Sequence, residues 1–498
     1  MKVRRSADRF AMAITVLLPF LLLLPLLGLA EKGYAHGAGE LNHDDVHVIK
    51  TSSLLPATTC SSSTSTIKDL KNKQPSLNIV HRHGTCSSMF VHEGQKKTKS
   101  STELDPKEFL KHDQMRVEAL HFKLSKKSAN AQEQSTKATA LPVQSGSSLG
   151  TANYVVRVGF GTPAKYMSVI FDTGSDLTWI QCKPCVRFCY LQQDAIFNPS
   201  ESTSYSNIIC NTTECSQAKS ATGISPSCGN SSSCIYGIQY GDQSFSVGYL
   251  VRETLSITST DVINEFTFGC GQNNRGLFGL AAGLLGLGRD KLSFVSQTYK
   301  KYGGRFSYCL PSTSSSTGHL TFGAQKRLPS SVKFTPMVKD SRGPSFYFLN
   351  LIAITVGGQK LAISPSVFAS SGTIIDSGTV ISRLPRTAYT SLQSAFQKSM
   401  SSYPSAKPLS ILDTCFNLAG YKEVRIPKIS LLFKGGVALD VDSSGLLFAT
   451  SIQQVCLAFA ANQDDKDVGI IGNTQQQKLE VIYDVGQNKL GFAPGSCA

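Results

Sequence analysis

Hydrophobic positions change texture three times along the chain. From Ala11 to Leu29 they run almost unbroken, interrupted by Pro19 and Pro25, preceded by Lys2, Arg4, Arg5 and Arg9 and closed by Gly28-Leu29-Ala30. A basic start, an apolar run and a small-residue exit predict a cleaved signal peptide over residues 1–30. Residues 31–145 are rich in Ser, Lys, Thr and His, and their pattern supports one helix. Asp105 stands where a cap belongs, Pro106 at the first turn, and Phe109, Met115, Val117 and Leu120 recur at roughly helical spacing. A low-complexity stretch, 126–148, then leads into a region of different character. Beyond residue 150 short apolar runs such as Tyr154–Phe160, Ser168–Phe171, Leu255–Thr258 and Phe346–Val356 alternate with Gly, Pro and Ser turns, which predicts β-structure. Residues 31–145 accordingly read as a pro-segment ahead of an all-β body.

Composition narrows the chemistry of that body. The chain has 498 residues, 41% apolar and 17% charged, enough for two packed domains with appendages. Its formal charge of +15 is diffuse: after residue 150 there are 29 basic and 21 acidic residues. Spread in this way, the surplus describes a solvated surface and not a nucleic-acid-reading face. Eight of nine histidines (His36, His43, His47, His81, His83, His92, His112 and His121) precede residue 150, and only His319 follows. A multi-histidine metal site or a histidine-activated nucleophile therefore has almost nothing to work with in the body, and any catalysis there falls to carboxylates.

Fourteen cysteines behind a signal peptide indicate a disulfide framework outside the cytosol. Cys60 and Cys86 fall in the pro-segment, and seven of the remaining twelve crowd into Cys182–Cys234. Cys182, Cys185 and Cys189 have a spacing that metal ligands also use, but the oxidising compartment favours bridges. Spacing alone leaves the pairing open. The sequons at Asn211 and Asn230 lie in the same region and mark an exposed, glycosylated excursion.

One pattern occurs twice. Val169-Ile170-Phe171 leads into Asp172-Thr173-Gly174-Ser175, and Ile374-Ile375 into Asp376-Ser377-Gly378-Thr379. Each copy is followed, about a hundred residues on, by an apolar pair and a glycine: Leu284-Leu285-Gly286 and Ile470-Ile471-Gly472. A short strand buried on both faces delivers the aspartate at its end out of the core. The small residues after it leave backbone N–H groups and a hydroxyl free for the carboxylate. The repeat length implies two homologous lobes.

Over residues 150–498 the chain resembles the pepsin-like aspartic proteases, most of all the plant nepenthesin-type group. The two triads carry this, with Trp179 after the first, Tyr240-Gly241-Asp242 at the flap position, the Cys-rich insert and the phrase His81-Arg82-His83-Gly84. The resemblance implies two β-lobes around a cleft: an N-terminal lobe over 146–335, with the insert at 182–234 and the flap, and a C-terminal lobe over 336–498. It implies Asp172 and Asp376 as the catalytic dyad, Thr173 and Ser377 as a cross-brace, and hydrogen bonds from Ser175 and Thr379 to the carboxylates. Gly174 and Gly378 allow the tight turns. Tyr240, Gly241 and Trp179 form the flap side of the substrate site, with the Tyr240 hydroxyl bonded to Trp179, and Cys415 pairs with Cys456.

The expected activity is endopeptidase cleavage of peptide or protein substrates by a monomer, with no cofactor, no metal and no stable membrane association. Lys107, Lys111 and Lys123 are expected against the cleft at neutral pH, with acid-triggered loss of the segment near Leu141–Gly150. Two alternative functions stay open. The chain is also similar to inhibitor-like, catalytically silent members of the fold. It is similar to chloroplast nucleoid proteases described as DNA-binding, where Lys96–Lys99 is the suggestive stretch. The address expected is the extracellular space, with vacuole and chloroplast as the other two.

Overall fold

The computed structural model describes residues 45–54, 60, 74–82, 84–87, 105–125, 154–229, 231–313, 315–324, 330–495 and 497. The signal-peptide run, Lys96–Lys99, the stretch 141–150 and Asn230 lie outside the described residues. The first strands in the chain come from before residue 150: β1 (Val46–Lys50) and β2 (Ser76–His81), followed by helix α1 (Pro106–Leu124). Asp105 caps the helix by accepting from the Lys107 N–H, and Pro106 opens it. Leu110, Asp113, Val117, Leu120 and Leu124 are buried, a single stripe at helical spacing.

Two strands and a Cys60–Cys86 bridge ahead of α1 are more structure than the polar composition suggested. β2 alternates, with Leu77 and Ile79 buried between exposed neighbours. It is inserted edge to edge between β3 (Tyr154–Phe160) and the strand Thr317–Phe322, antiparallel to both. Its stability is borrowed from those partners, which is why six residues of weak pattern did not announce a strand. β1 pairs in the same way with Glu423–Pro427.

From β2 the antiparallel sheet continues through Thr317–Phe322, Arg305–Cys309, Leu479–Asp484, Lys489–Pro494 and Lys333–Val338, drawing strands from both halves of the chain. Aromatic rings fill the layer above it: Phe306 stacks on Tyr483 at 4.3 Å, and Tyr347 meets the same ring edge-on at 4.6 Å. The two halves form β-lobes over this floor. In the first, a long hairpin pairs Phe245–Ser256 with Val262–Arg275; in the second, Leu351–Val356, Ile429–Phe433 and Val437–Asp440 form a sheet backed by the helix Arg386–Ser399. Six bridges lock the body: Cys182–Cys270, Cys185–Cys189, Cys210–Cys228, Cys215–Cys234, Cys309–Cys497 and Cys415–Cys456. Among the described residues no helix is long and apolar enough to cross a membrane.

Candidate active site

Two strands with buried ends deliver an aspartate to one point, Asp172 as the last residue of the first and Asp376 just after the second. β4 (Lys165–Asp172) ends in Val169, Ile170 and Phe171, each at most 1% exposed, and Thr373–Ile375 is buried throughout. Burying each such side chain contributes about 1.5–3 kcal/mol, which fixes the register of the strand and so the position of the aspartate. The apolar-apolar-glycine segments lie parallel and in register alongside: Leu284, Leu285 and Gly286 face Ile170, Phe171 and Asp172, and Ile470 and Ile471 face Ile374 and Ile375. Glycine is needed where the chains cross, since a Cβ on Gly472 would stand 2.5 Å from the Val380 carbonyl oxygen.

The loops beyond the strands interlock. The Thr173 N–H donates to Ser377 Oγ at 3.1 Å, and the Ser377 N–H donates to Thr173 Oγ1 at 2.9 Å. Each aspartate turns back on its own loop, Asp172 Oδ1 accepting from Gly174 N and Asp376 Oδ1 from Gly378 N, both at 3.0 Å. A Cβ on Gly174 would meet Asp376 Oδ1 at 2.6 Å, so the bare glycine is what lets the loops meet. Thr379 Oγ1 donates to Asp376 Oδ2 at 2.6 Å. Ser175 acts on its aspartate more weakly: its hydroxyl lowers the Asp172 carboxyl, the least of the influences on that group, although neither Ser175 Oγ nor Asp172 Oδ2 has a hydrogen-bond partner of good geometry.

Between the carboxylates lies a guanidinium from α1. Arg116 Nη2 is 2.8 Å from Asp172 Oδ1, 3.0 Å from Asp376 Oδ2 and 3.2 Å from Asp376 Oδ1, and Nε is 3.3 Å from Asp376 Oδ2. Burial opposes the charge on Arg116, but the two aspartates more than reverse this and hold it more basic than a free arginine. Burial is also the largest influence on Asp172 and pushes its carboxyl above the ordinary carboxylate value, with Arg116 working against it and Asp376 with it. For Asp376 burial is outweighed by Arg116 and by the Thr379 and Gly378 hydrogen bonds, so its carboxyl sits below the ordinary value.

The lysines expected against the cleft are not there. Lys107, Lys111 and Lys123 lie on the exposed side of α1, Lys123 standing over the ring of Phe346 and acting electrostatically on buried Asp176. Helix geometry is the reason: positions 113, 116, 117, 120 and 124 share the buried face, and 107, 111 and 123 do not. Three residues before Arg116, Asp113 enters the C-terminal lobe with neither charge exposed. It accepts from Val380 N at 2.7 Å, Ile381 N at 3.2 Å and Arg383 Nη2 at 2.9 Å. Charged residues on the apolar face of a helix were the available sequence signal for Asp113 and Arg116. Asp176, four residues after Asp172, was also missed; it is buried, and burial pushes its carboxyl up to about 6.

The flap hairpin joins Cys234–Gln239 to the strand starting at Phe245. Its turn is closed by Tyr240 N donating to Ser244 O at 2.8 Å, and Trp179 Nε1 donates to the Tyr240 hydroxyl at 2.8 Å. Trp179 belongs to β5 (Trp179–Gln181) and is wholly buried. Gly241 packs on α1, where a Cβ would stand 2.8 Å from the Met115 carbonyl oxygen. Asn211 is exposed just before the capping residue of the helix Thr213–Thr222. His319 is on the strand Thr317–Phe322, with Nε2 2.8 Å from Glu480 Oε2.

Two family models match the chain, one described as xylanase inhibitor N-terminal over residues 154–324 and one as xylanase inhibitor C-terminal over 346–494. An aspartyl protease family protein of Arabidopsis thaliana is 53% identical over 466 residues, 94% of this chain and 96% of that protein. Aspartic proteinase nepenthesin-2 of Nepenthes gracilis is 34% identical over 434 residues, 84% of this chain and 95% of that one. Among solved structures, basic 7S globulin from soybean matches with a TM-score of 0.55 at 20% identity, covering 69% of this chain and 93% of its own, a likeness of fold alone.

Proposed function

The chain belongs to the pepsin-like aspartic proteases, in their plant nepenthesin-like group, and on that premise we propose a secreted zymogen whose own helix fills the catalytic centre. It is an aspartic endopeptidase, and its substrates are peptides or proteins. The observation that carries the proposal is the single guanidinium of Arg116 shared by Asp172 and Asp376. Seven disulfides among the described residues support a compartment outside the cytosol, with the extracellular space as the address.

With α1 gone, a water takes the place of Nη2 between the two carboxylates. As in aspartic proteases generally, carboxylates this close cannot both ionise and share one proton. The ionised one takes a proton from the water, whose oxygen bonds to the peptide carbonyl carbon while the other carboxyl protonates the carbonyl oxygen. Proton return to the amide nitrogen lets the C–N bond break, giving a carboxylic acid and an amine. The Tyr240 hairpin covers an extended peptide bound between the lobes.

Acid is the trigger. Asp172, already pushed up, protonates first as pH falls and removes one of the two counter-charges of Arg116 in a buried site. Acid incubation of the full chain with a denatured protein substrate tests this. The chain is expected to shorten and cleave, with Asp172→Asn and Asp376→Asn each lowering the rate by three orders of magnitude or more (about 10³). Full-length protein that stays intact and inactive in acid with both aspartates present defeats the proposal.

A further inference from the structure

Asp113 is a buried carboxylate on the helix that leaves, yet each donor that holds it belongs to the part that stays. Val380 N, Ile381 N and Arg383 Nη2 converge on its two oxygens from a four-residue segment just after the second catalytic loop. Both side chains of the ion pair are 0% exposed. Arg383 is steadied from its own lobe by Nη1 donating to the Ile381 carbonyl at 2.7 Å, and its Nε is buried with no hydrogen-bond partner. A cavity of about 380 Å³ adjoins it, lined by Gln114, Glu118 and His121 of α1 and by Arg383, Asn462 and Asp467 of the lobe. Asp467 accepts from the Asp464 N–H, and among the described residues the carboxylate in ion-pair contact with Arg383 is that of Asp113.

Resting on the endopeptidase reading above, we propose that Arg383 with the Val380 and Ile381 N–H groups forms a carboxylate subsite, which Asp113 fills in the zymogen and an acidic substrate residue fills in the active enzyme. A guanidinium keeps its charge, so removing Asp113 leaves a cation and two amide donors in the cleft wall short of a partner. A Glu or Asp side chain restores the full set; the isosteric amide supplies an oxygen without charge and sets an N–H₂ against donors. Three helical steps separate Asp113 from Arg116, about 4.5 Å along the axis. An extended peptide covers that distance in about one or two residues, so the acidic residue belongs within three positions of the cleaved bond.

The test uses the full chain, activated in acid, and pairs of peptides differing only by Glu or Gln at each of the three positions on either side of the cleaved bond. At pH 5.5, where a free glutamate is ionised, one position is expected to favour Glu by about tenfold or more in kcat/KM. Arg383→Met is expected to bring that ratio to one, and Arg383→Glu to shift the preference at the same position to Lys. If either variant fails to fold, the wild-type series decides by itself. Cleavage with equal rates for Glu and Gln at every position overturns the subsite and leaves the endopeptidase reading intact. Absence of cleavage of any peptide overturns both.

Discussion

The two aspartate loops begin alike and part at their fifth residue. Asp172-Thr173-Gly174-Ser175 continues into Asp176, and Asp376-Ser377-Gly378-Thr379 into Val380. In the first loop the fifth position is a buried acid: Asp176 accepts from Asp290 N at 2.9 Å and from the Ser345 hydroxyl, tying its loop to the segment that leads into the second half of the chain. In the second loop the fifth position is apolar, and its N–H is spent on Asp113 of α1. The hydroxyls at the fourth position differ too, Thr379 donating to its aspartate in good geometry and Ser175 acting on its own only weakly. A duplicated motif has thus been divided between two tasks: one copy anchors the lobes, and the other receives the helix that shuts the site.

Arg116 spans both copies, and its loss should have the largest effect. It donates to Asp376 through two nitrogens and to Asp172 through one. Arg116→Met leaves two facing carboxylates with no cation between them and opens the position to water. The full-length variant is expected to cleave a denatured protein near pH 6 about 100-fold faster than wild type, the ratio lost with a charge-assisted network worth a few kcal/mol. Arg116→Lys, a point charge without the planar fork, should fall between the two. A variant as silent as wild type near pH 6 would show that the rest of α1 suffices to close the cleft.

Asp176 gives the first loop a pH response that Val380 cannot have. Its folded carboxyl titrates at about 6, raised by burial from an ordinary 3.8. Between those values the folded state holds a proton that the unfolded state has released. Stability from this group is therefore complete below about pH 4 and is lost as pH rises through 6, a change of about 3 kcal/mol. Asp176→Asn removes the titration. Urea midpoints at pH 4 and pH 7 should differ less in the variant than in wild type, and parallel pH profiles would contradict the assignment. A loop that favours acid conditions suits the proposed release of α1 in acid.

How much of this was legible depends on where each residue finds its energy. The two triads were readable because a short buried strand ending in an aspartate needs small residues after it, and that requirement is local. β2 was not, because Leu77 and Ile79 become a strand only between β3 and Thr317–Phe322. Helix α1 was visible from its Asp105 cap and apolar spacing, but not what it does. Lysine on a basic segment looked like the obvious counter-charge; the cleft instead takes Arg116, since only the buried face reaches it and a fork can serve two carboxylates at once. Asp113 and Arg383 lie 270 residues apart, and the only local trace of their pairing is one acid on an apolar face. Asp176 looked like an ordinary turn residue because burial, which sets its titration, is a property of the fold.

The fourth positions allow the finest test of the division between the loops. Thr379 Oγ1 donates to Asp376 Oδ2 and favours its ionised form, whereas Ser175 favours ionised Asp172 only as the weakest of the influences on it. Thr379→Val removes one hydrogen bond to a charged group, about 1.5 kcal/mol, or roughly one pH unit on Asp376. The sign follows from a carboxyl held down in the closed form: the ion pair it makes with Arg116 is present above its titration and fails as pH falls through it. Raising that titration lets the helix go at a higher pH. The pH at which half the full-length chain has shortened in a fixed time should rise by about one unit in Thr379→Val and by clearly less in Ser175→Ala. Equal shifts in the two variants would mean that both loops hold the helix alike, and that the asymmetry ends at the fifth residue.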